Sequence, residues 1–307
     1  RPHNSRLDKL LVKDEGKICQ ECHTEVLTPT DKGKHEPVLM GQCDKCHDVH
    51  GSDTPHMLKK SGSELCLGCH TTFAMARDSA MSVHTAVDDC LSCHNPHEGE
   101  GKNLLKKPVE KLCSDCHEPD GEALSAKSNH SPYATGNCAG CHSPHYSSQK
   151  HLLKKSGTEV CVGCHSDIGT KLALSAVHPP ATEDCLGCHK PHYAEQPKLL
   201  NQSPQLLCLS CHDKAALGMD KTHAHTAAKD GDCTGCHNPH GSDRSKLISS
   251  RAVLRVFNGE NVMVAPRLTD QRASLCVTCH QGFRETIIKG DSHKPVRDGQ
   301  CEACHAP

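Results

Sequence analysis

All 24 cysteines of this 307-residue chain stand in pairs two residues apart, and each pair is followed at once by histidine. In chain order the motifs are CQECH (Cys19, Cys22, His23), CDKCH (Cys43, Cys46, His47), CLGCH (Cys66, Cys69, His70) and CLSCH (Cys90, Cys93, His94). They continue as CSDCH (Cys113, Cys116, His117), CAGCH (Cys138, Cys141, His142), CVGCH (Cys161, Cys164, His165) and CLGCH (Cys185, Cys188, His189). CLSCH (Cys208, Cys211, His212), CTGCH (Cys233, Cys236, His237), CVTCH (Cys276, Cys279, His280) and CEACH (Cys301, Cys304, His305) complete the set. CxxCH is the attachment signal of c-type haem: two thiols bond the porphyrin vinyl groups and the adjacent imidazole becomes an axial iron ligand. The spacing puts both sulfurs on one side of a tight turn. Zinc ribbons also use paired CxxC, and a disulfide scaffold also uses an even cysteine number. Neither requires a histidine after every pair.

The remaining histidines keep a register with these motifs. Odd-numbered motifs begin at 19, 66, 113, 161, 208 and 276, and even-numbered ones at 43, 90, 138, 185, 233 and 301, a period of 47 or 48 with one step of 68. Sixteen residues before the first five odd motifs stand His3, His50, His97, His145 and His192. His240 holds the sixth such position once a 20-residue insertion is allowed for. A second set, His35, His84, His130, His178, His225 and His293, precedes the even motifs by six to eight residues. Twelve six-coordinate haems need 24 axial ligands, and the motif histidines with the two sets supply that number. Only His56, His151 and His223 are left over, with His225 preferred to His223 because its offset to Cys233 matches that of His35 to Cys43. The six methionines follow no register, and a structural role is expected for them.

Elements must position these groups without a conventional core. Hydrophobic residues are 35% of the chain, tryptophan is absent, and Phe73, Phe257, Phe283, Tyr133, Tyr146 and Tyr193 are the whole aromatic complement. Aromatic side chains normally supply much of a core's buried area. The expectation is therefore short helices and coil wrapped around twelve haems, with little regular secondary structure. Helical turns carry the motifs, and Gly, Pro, Ser and Asp join them. An aliphatic pair recurs seven and eight residues after each first-set histidine: Leu10-Leu11, Met57-Leu58, Leu104-Leu105, Leu152-Leu153, Leu199-Leu200 and Leu247-Ile248. Another aliphatic residue, Ile18, Leu65, Leu112, Val160, Leu207 or Leu275, immediately precedes each odd motif. Six di-haem repeats follow, at about 1–48, 49–95, 96–143, 144–190, 191–238 and 239–307, read as a single elongated array. The insertion, about 247–270, holds the one strand-like stretch. Ala252 to Phe257 and Val262 to Ala265 flank Asn258-Gly259-Glu260-Asn261 as a β-hairpin, either a solvent-exposed decoration or a docking element.

Charge and hydropathy narrow the function classes. A net charge of -2, from 35 basic and 37 acidic residues, excludes nucleic-acid binding driven by bulk positive charge. No stretch approaches the length of a membrane span, and RPHNSRLDKL lacks the apolar region of a signal peptide. The chain reads as a mature, exported one.

The sequence resembles the doubled-CXXCH multihaem c-type cytochromes, a group including periplasmic carriers and outer-surface cytochromes of metal-reducing bacteria, some of which form filaments. CHNPH, CHSPH, CHKPH and CHNPH follow the family's CHxPH form at the even motifs, and CHDVH carries Val49 in place of proline. The resemblance implies haem attachment outside the cytoplasm, haems stacked within pairs and crossing between pairs, and electron transfer. The distal-type histidine of each CHxPH lies too close in sequence to the proximal one to clamp the same iron, and should serve a neighbouring haem. With no motif departing from CxxCH and no coordination site obliged to stay open, a non-enzymatic electron conduit is expected. Its partners would be other redox proteins or extracellular acceptors. Three forms remain open: a filament subunit, a soluble periplasmic shuttle, or a conduit subunit held in a porin. A multihaem reductase with a five-coordinate haem is the enzymatic alternative.

The last motif reads CHAP to Pro307, where a further histidine would complete the pattern, and the chain opens Arg1-Pro2-His3. Head-to-tail stacking would put His3 of one copy beside His305 of the next. The alternative is that His3 serves the first haem of its own chain. Intact-mass measurement of the holoprotein should show twelve covalent haems and no free thiol. Stoichiometric zinc, or fewer than eleven haems, would overturn the reading.

Overall fold

The computed structural model describes residues 3–27, 32–118, 123, 125–249, 254–257, 260–263, 275–277, 279–280 and 293–305. Residues 1–2 and 306–307, on which the head-to-tail expectation turns, lie outside them, as do 252–253 and 264–265 of the expected hairpin. The chain divides into two compact units, residues 1–125 with 130–156, and residues 126–129 with 157–307.

Each unit is built from short helices, single turns and ladders of two residues. Every CxxCH is one helical turn, because the histidine amide donates to the carbonyl of the first cysteine at 2.9–3.0 Å in all twelve motifs. Residues three apart on such a turn share a face, so the two thiols come together. Odd motifs end slightly longer helices, among them Glu15–Gln20, Gly62–Leu67, Gly157–Val162 and Pro204–Leu209. Even motifs are bare turns, such as Cys43–Lys45, Cys138–Gly140 and Cys185–Gly187. Helices this short are not stable alone in water. Something packed against them must hold them.

The expectation of short helices and coil therefore describes the structure, but strands are not confined to the insertion. In the first unit β1 (Gly33–Lys34) pairs antiparallel with β3 (Glu98–Gly99), and β2 (Ser82–Val83) with β5 (Tyr146–Ser147). In the second, β4 (Ser128–Asn129) pairs with β7 (Tyr193–Ala194) and β6 (Ala176–Val177) with β8 (Gly241–Ser242). Two-residue strands are too short to show an alternating pattern, and so they escape a reading by periodicity. The insertion does form a hairpin, β9 (Leu254–Phe257) with β10 (Glu260–Met263). Its register pairs Glu260 with Phe257, so Glu260 and Asn261 belong to the second strand rather than to the connection.

A third recurring piece is a clasp behind the first five even motifs. The carbonyls of Met57, Leu104, Leu152, Leu199 and Leu247 accept from Asp48, Asn95, Ser143, Lys190 and Asn238 at 2.7–2.8 Å. The next residue bridges the motif histidine, as in His47 with Leu58 and His189 with Leu200. This is the structural reason for the periodic aliphatic pairs. Closing the clasp puts His56, Met57, Leu104, His151, Leu152, Lys198, Leu199, Lys246 and Leu247 at φ between 54° and 58°. Left-handed backbone costs a non-glycine residue of order 1–3 kcal/mol and persists only where its surroundings dictate it.

Among the described residues no side-chain core compensates. Among the described residues Val87, Ala123, Ala194 and Val277 are the buried apolar ones. Among them, too, no helix is long and apolar enough to cross a membrane.

Small residues are required where ladder and clasp meet. Gly99, Ser147, Ala194 and Ser242, each two residues beyond a CHxPH histidine, are buried. A Cβ on Gly99 would stand 2.3 Å from the Leu104 carbonyl carbon, with backbone rather than a flexible side chain in the way. Gly99→Ala should therefore destabilise the first unit by about 1–3 kcal/mol, the usual range for overpacking. Thermal melting of the holoprotein reads this directly, and an unchanged midpoint would show that the clasp yields freely.

Candidate haem-binding sites

The two non-motif histidine sets occupy the ladders. His35, His84, His130, His178 and His225 each stand at the N-cap of a short helix, and the first four directly follow strands β1, β2, β4 and β6. His97, His145, His192 and His240 directly precede β3, β5, β7 and β8. One ladder thus carries one histidine of each set. In the first unit the two are joined through the backbone, His35 N–H to His97 O at 3.1 Å and His84 N–H to His145 O at 2.8 Å.

Seven of these histidines face a motif histidine of a different repeat. In the first unit the ring centroids are 6.2 Å apart for His35 and His70, 6.1 Å for His47 and His97, 5.9 Å for His84 and His117, and 5.9 Å for His94 and His145. In the second they are 6.1 Å apart for His178 and His212, for His189 and His240, and for His225 and His280. Two rules cover all seven pairs. A histidine ahead of an even motif faces the odd motif of the following repeat, and a CHxPH histidine faces the even motif before the one it directly follows, as His97 faces His47 rather than His94. His225, not His223, is the one that faces His280.

The spacing fits iron. A metal–imidazole bond of about 2.0 Å, plus about 1.1 Å from nitrogen to ring centre on each side, places two axial imidazoles with centroids about 6.2 Å apart. The histidines come in twos. Among the described residues no three His, Cys, Asp or Glu side chains gather as a tetrahedral ion site would need. The seven motifs facing a second ring would thus hold a haem iron between two imidazoles, and the thiols beside them would hold its edge.

Not every nominated histidine acquires a partner of this kind. His23, His237 and His305 among the motif residues, and His3, His50 and His293 among the others, face no second ring within the described residues. The His50 side chain is 95% exposed. His130, His142, His165 and His192 hold the positions that the register assigns them. His56 and His151 sit in the clasps, not opposite a motif.

The thiols give the order of the sites. Cys43 lies within hydrogen-bonding reach of Cys19, Cys66 of Cys90 and Cys113 of Cys138, joining the motifs within each repeat of the first unit. Cys46 is close enough to Cys69, and Cys113 to Cys93, to sense its charge, which joins one repeat to the next. The second unit repeats this, with Cys208 reaching Cys233 and Cys276 reaching Cys301, while Cys188 neighbours Cys211 and Cys236 neighbours Cys279. Burial first, and the neighbouring thiol second, push Cys43, Cys66, Cys208 and Cys276 up to about 11. Such paired sulfurs resist becoming thiolates, an environment suited to neutral thioethers.

The imidazoles are biased toward the form that binds metal. Burial, then the nearby ring of His47, holds His97 below the ordinary histidine range. The same causes act on His145 beside His94, His178 beside His212 and His240 beside His189. A neutral ring keeps a lone pair for iron. Phe73, on the helix Thr71–Asp78, packs edge-on against both His145 and Tyr146, at 5.0 and 5.1 Å, and steadies that ring.

Sequence reasoning did not reach the second contact of the even-motif histidines. Nδ1 of His47, His94, His142, His189 and His237 lies 2.8–2.9 Å from the carbonyl oxygen of His56, Asn103, His151, Lys198 and Lys246. A carbonyl can only accept, so Nδ1 carries the proton and Nε2 is left to ligate. Backbone acceptors have no residue signature. Only the periodic aliphatic pair marks where the clasp must fall.

No curated protein matches the chain at a significant level. The family described as doubled CXXCH motif matches it at residues 35–75, 84–122, 130–170, 178–217 and 225–285. Each match opens on a second-set histidine, His35, His84, His130, His178 or His225, so the family's repeat includes the histidine that faces the next odd motif. With the repeats covering most of its length and twelve CxxCH turns implying covalently attached haem c, the chain belongs to the doubled CXXCH family of multihaem c-type cytochromes, proteins of electron transfer.

Proposed function

We propose that this protein is a non-enzymatic electron relay holding twelve bis-histidine haems c, and that it works outside the cytoplasm in extracellular electron transfer. The observation that carries the reading is the alternation of contacts along each unit. Thiol neighbours link motif to motif, while ladders cross-connect facing histidines of different repeats. Electrons would pass from haem to haem through such a series without substrate entering any coordination site. A six-coordinate iron takes and releases electrons with little rearrangement, and its potential is set by ligands, burial and hydrogen bonding.

The attachment chemistry supports export, since c-type haem is joined to its thiols outside the cytoplasm. Assembly of copies into a filament is the form we favour over a periplasmic shuttle or a porin-held subunit, because ligand exchange between repeats can extend across copies by the same rules. Donor and acceptor would be redox proteins or surfaces outside the cell.

Removing one facing ring tests the ligand assignment. His97→Ala should convert about one haem in twelve from low-spin to high-spin ferric, and the site affected should be the one on Cys43 and Cys46, not its sequence neighbour on Cys90 and Cys93. Electron paramagnetic resonance counts the high-spin iron. Haem-peptide mapping after ligation by an added exogenous imidazole analogue with a photoreactive tag locates it. A fully low-spin variant would contradict the pairing. Electron microscopy of the purified holoprotein decides the assembly: filaments with a regular repeat are expected, and uniformly monomeric particles would favour the shuttle.

A further inference from the structure

The clasp carbonyls divide the motifs into two chemical classes. Five even-motif histidines, His47, His94, His142, His189 and His237, donate from Nδ1 to a backbone oxygen at 2.8–2.9 Å. The odd-motif histidines His23, His70, His117 and His212 make no ring-nitrogen hydrogen bond among the described residues. The acceptors are not incidental. Each is the carbonyl of the residue just before Met57, Leu104, Leu152, Leu199 or Leu247, all five held at left-handed φ. At His56, His151, Lys198 and Lys246 the acceptor residue is left-handed as well. The side chain at the acceptor changes from histidine to asparagine to lysine, while the oxygen stays in place. The backbone position is what the repeats share.

A donor bond from Nδ1 moves electron density into the ring and makes Nε2 a stronger base toward iron. A stronger σ-donor stabilises ferric over ferrous iron. We propose that the clasp carbonyls set the haems of His47, His94, His142, His189 and His237 at lower reduction potential than those of His23, His70, His117 and His212, so that high and low potentials alternate from His23 to His117. This rests on the haem reading above and adds an ordering to it. Each transfer between neighbours oxidises one iron and reduces the next by one electron, with no proton gained or lost by the ligands. The turn residues His56, Asn103, His151, Lys198 and Lys246 are positioning residues. They act through the imidazole and touch no iron.

Two measurements on the holoprotein test this. In fully reduced, low-spin protein labelled with nitrogen-15 at histidine, the Nδ1 protons of the five even-motif ligands should exchange into deuterium oxide at least about tenfold more slowly than those of His23, His70, His117 and His212, as an ordinary hydrogen bond confers. Equal exchange in the two classes overturns the proposal. The second compares Lys198→Pro with Lys198→Gly. Both remove the same charge, but glycine keeps φ near the 58° of Lys198 while proline forbids it and turns the carbonyl away. The haem on Cys185 and Cys188 should titrate at higher potential in the proline variant than in the glycine variant, with the other haems unmoved. Coincident titrations, with twelve haems and a low-spin spectrum retained, refute the tuning and leave the relay reading standing. Loss of haem from both variants and a high-spin wild type would instead strike the relay reading itself. If Lys198→Pro alone fails to fold, the exchange measurement on the unaltered protein decides.

Discussion

A six-coordinate bis-histidine haem would need two imidazoles on opposite faces, about 6 Å between ring centres, and the seven facing pairs of this chain draw the two from different repeats. Every other feature answers that demand. The CxxCH turn aims one ring, and the ladder residues aim the other from a distance along the chain, 50 residues between His47 and His97 and 35 between His35 and His70. Because a ladder presents one histidine of each set, it fixes a distal position for an even site and for the next odd site at once. Lys34 and Glu98 stand opposite each other on β1 and β3 and are joined by an ion pair at 3.2 Å, the Lys34 side chain being 9% exposed. A partly buried pair of this kind resists the small slips in register that would misplace both rings.

The same demand explains why the polypeptide looks underbuilt. Four- to eight-residue helices, two-residue strands and left-handed leucines would not hold a fold of ordinary composition. Here they would need only to fix the positions of groups around a large planar cofactor, and its bonds to two sulfurs and two nitrogens would tie distant segments together. Exposed aliphatic residues such as Leu10, Met57, Leu186 and Leu206 lack any side-chain core to enter. They would offer apolar surface to porphyrin faces and edges instead.

Much of this was legible in the residues. Twelve motifs, two histidine registers and the aliphatic pairs are periodic properties of side-chain type, and they anticipated short helices, a missing core and CHxPH histidines that face a motif other than their own. What the sequence could not disclose is carried by the backbone. The ladders, at two residues each, are below the length at which alternation means anything. The clasps depend on carbonyls, which every residue has, and on positive φ at leucine, lysine and histidine, which propensity argues against. The direction of the exchange, forward for His35 and backward for His97, needs three dimensions, because both offsets are equally compatible with the period. The hairpin was found but placed two residues late in its second strand, since Asn258-Gly259-Glu260-Asn261 reads as a four-residue connection until pairing assigns Glu260 and Asn261.

The offset also governs how such a chain can vary in length. Adding a whole unit of 47 or 48 residues adds one histidine of each kind and one motif of each kind, and every junction inside the array is reproduced. Adding half a unit would leave rings facing nothing and motifs facing the wrong set. Growth by duplication is therefore quantised in pairs of haems, whereas loops between ligands are free to drift. The 20 extra residues ahead of Cys276 fall in such a gap, after the clasp of His237 and before the next motif turn. There a new segment can be carried without moving a single ligand.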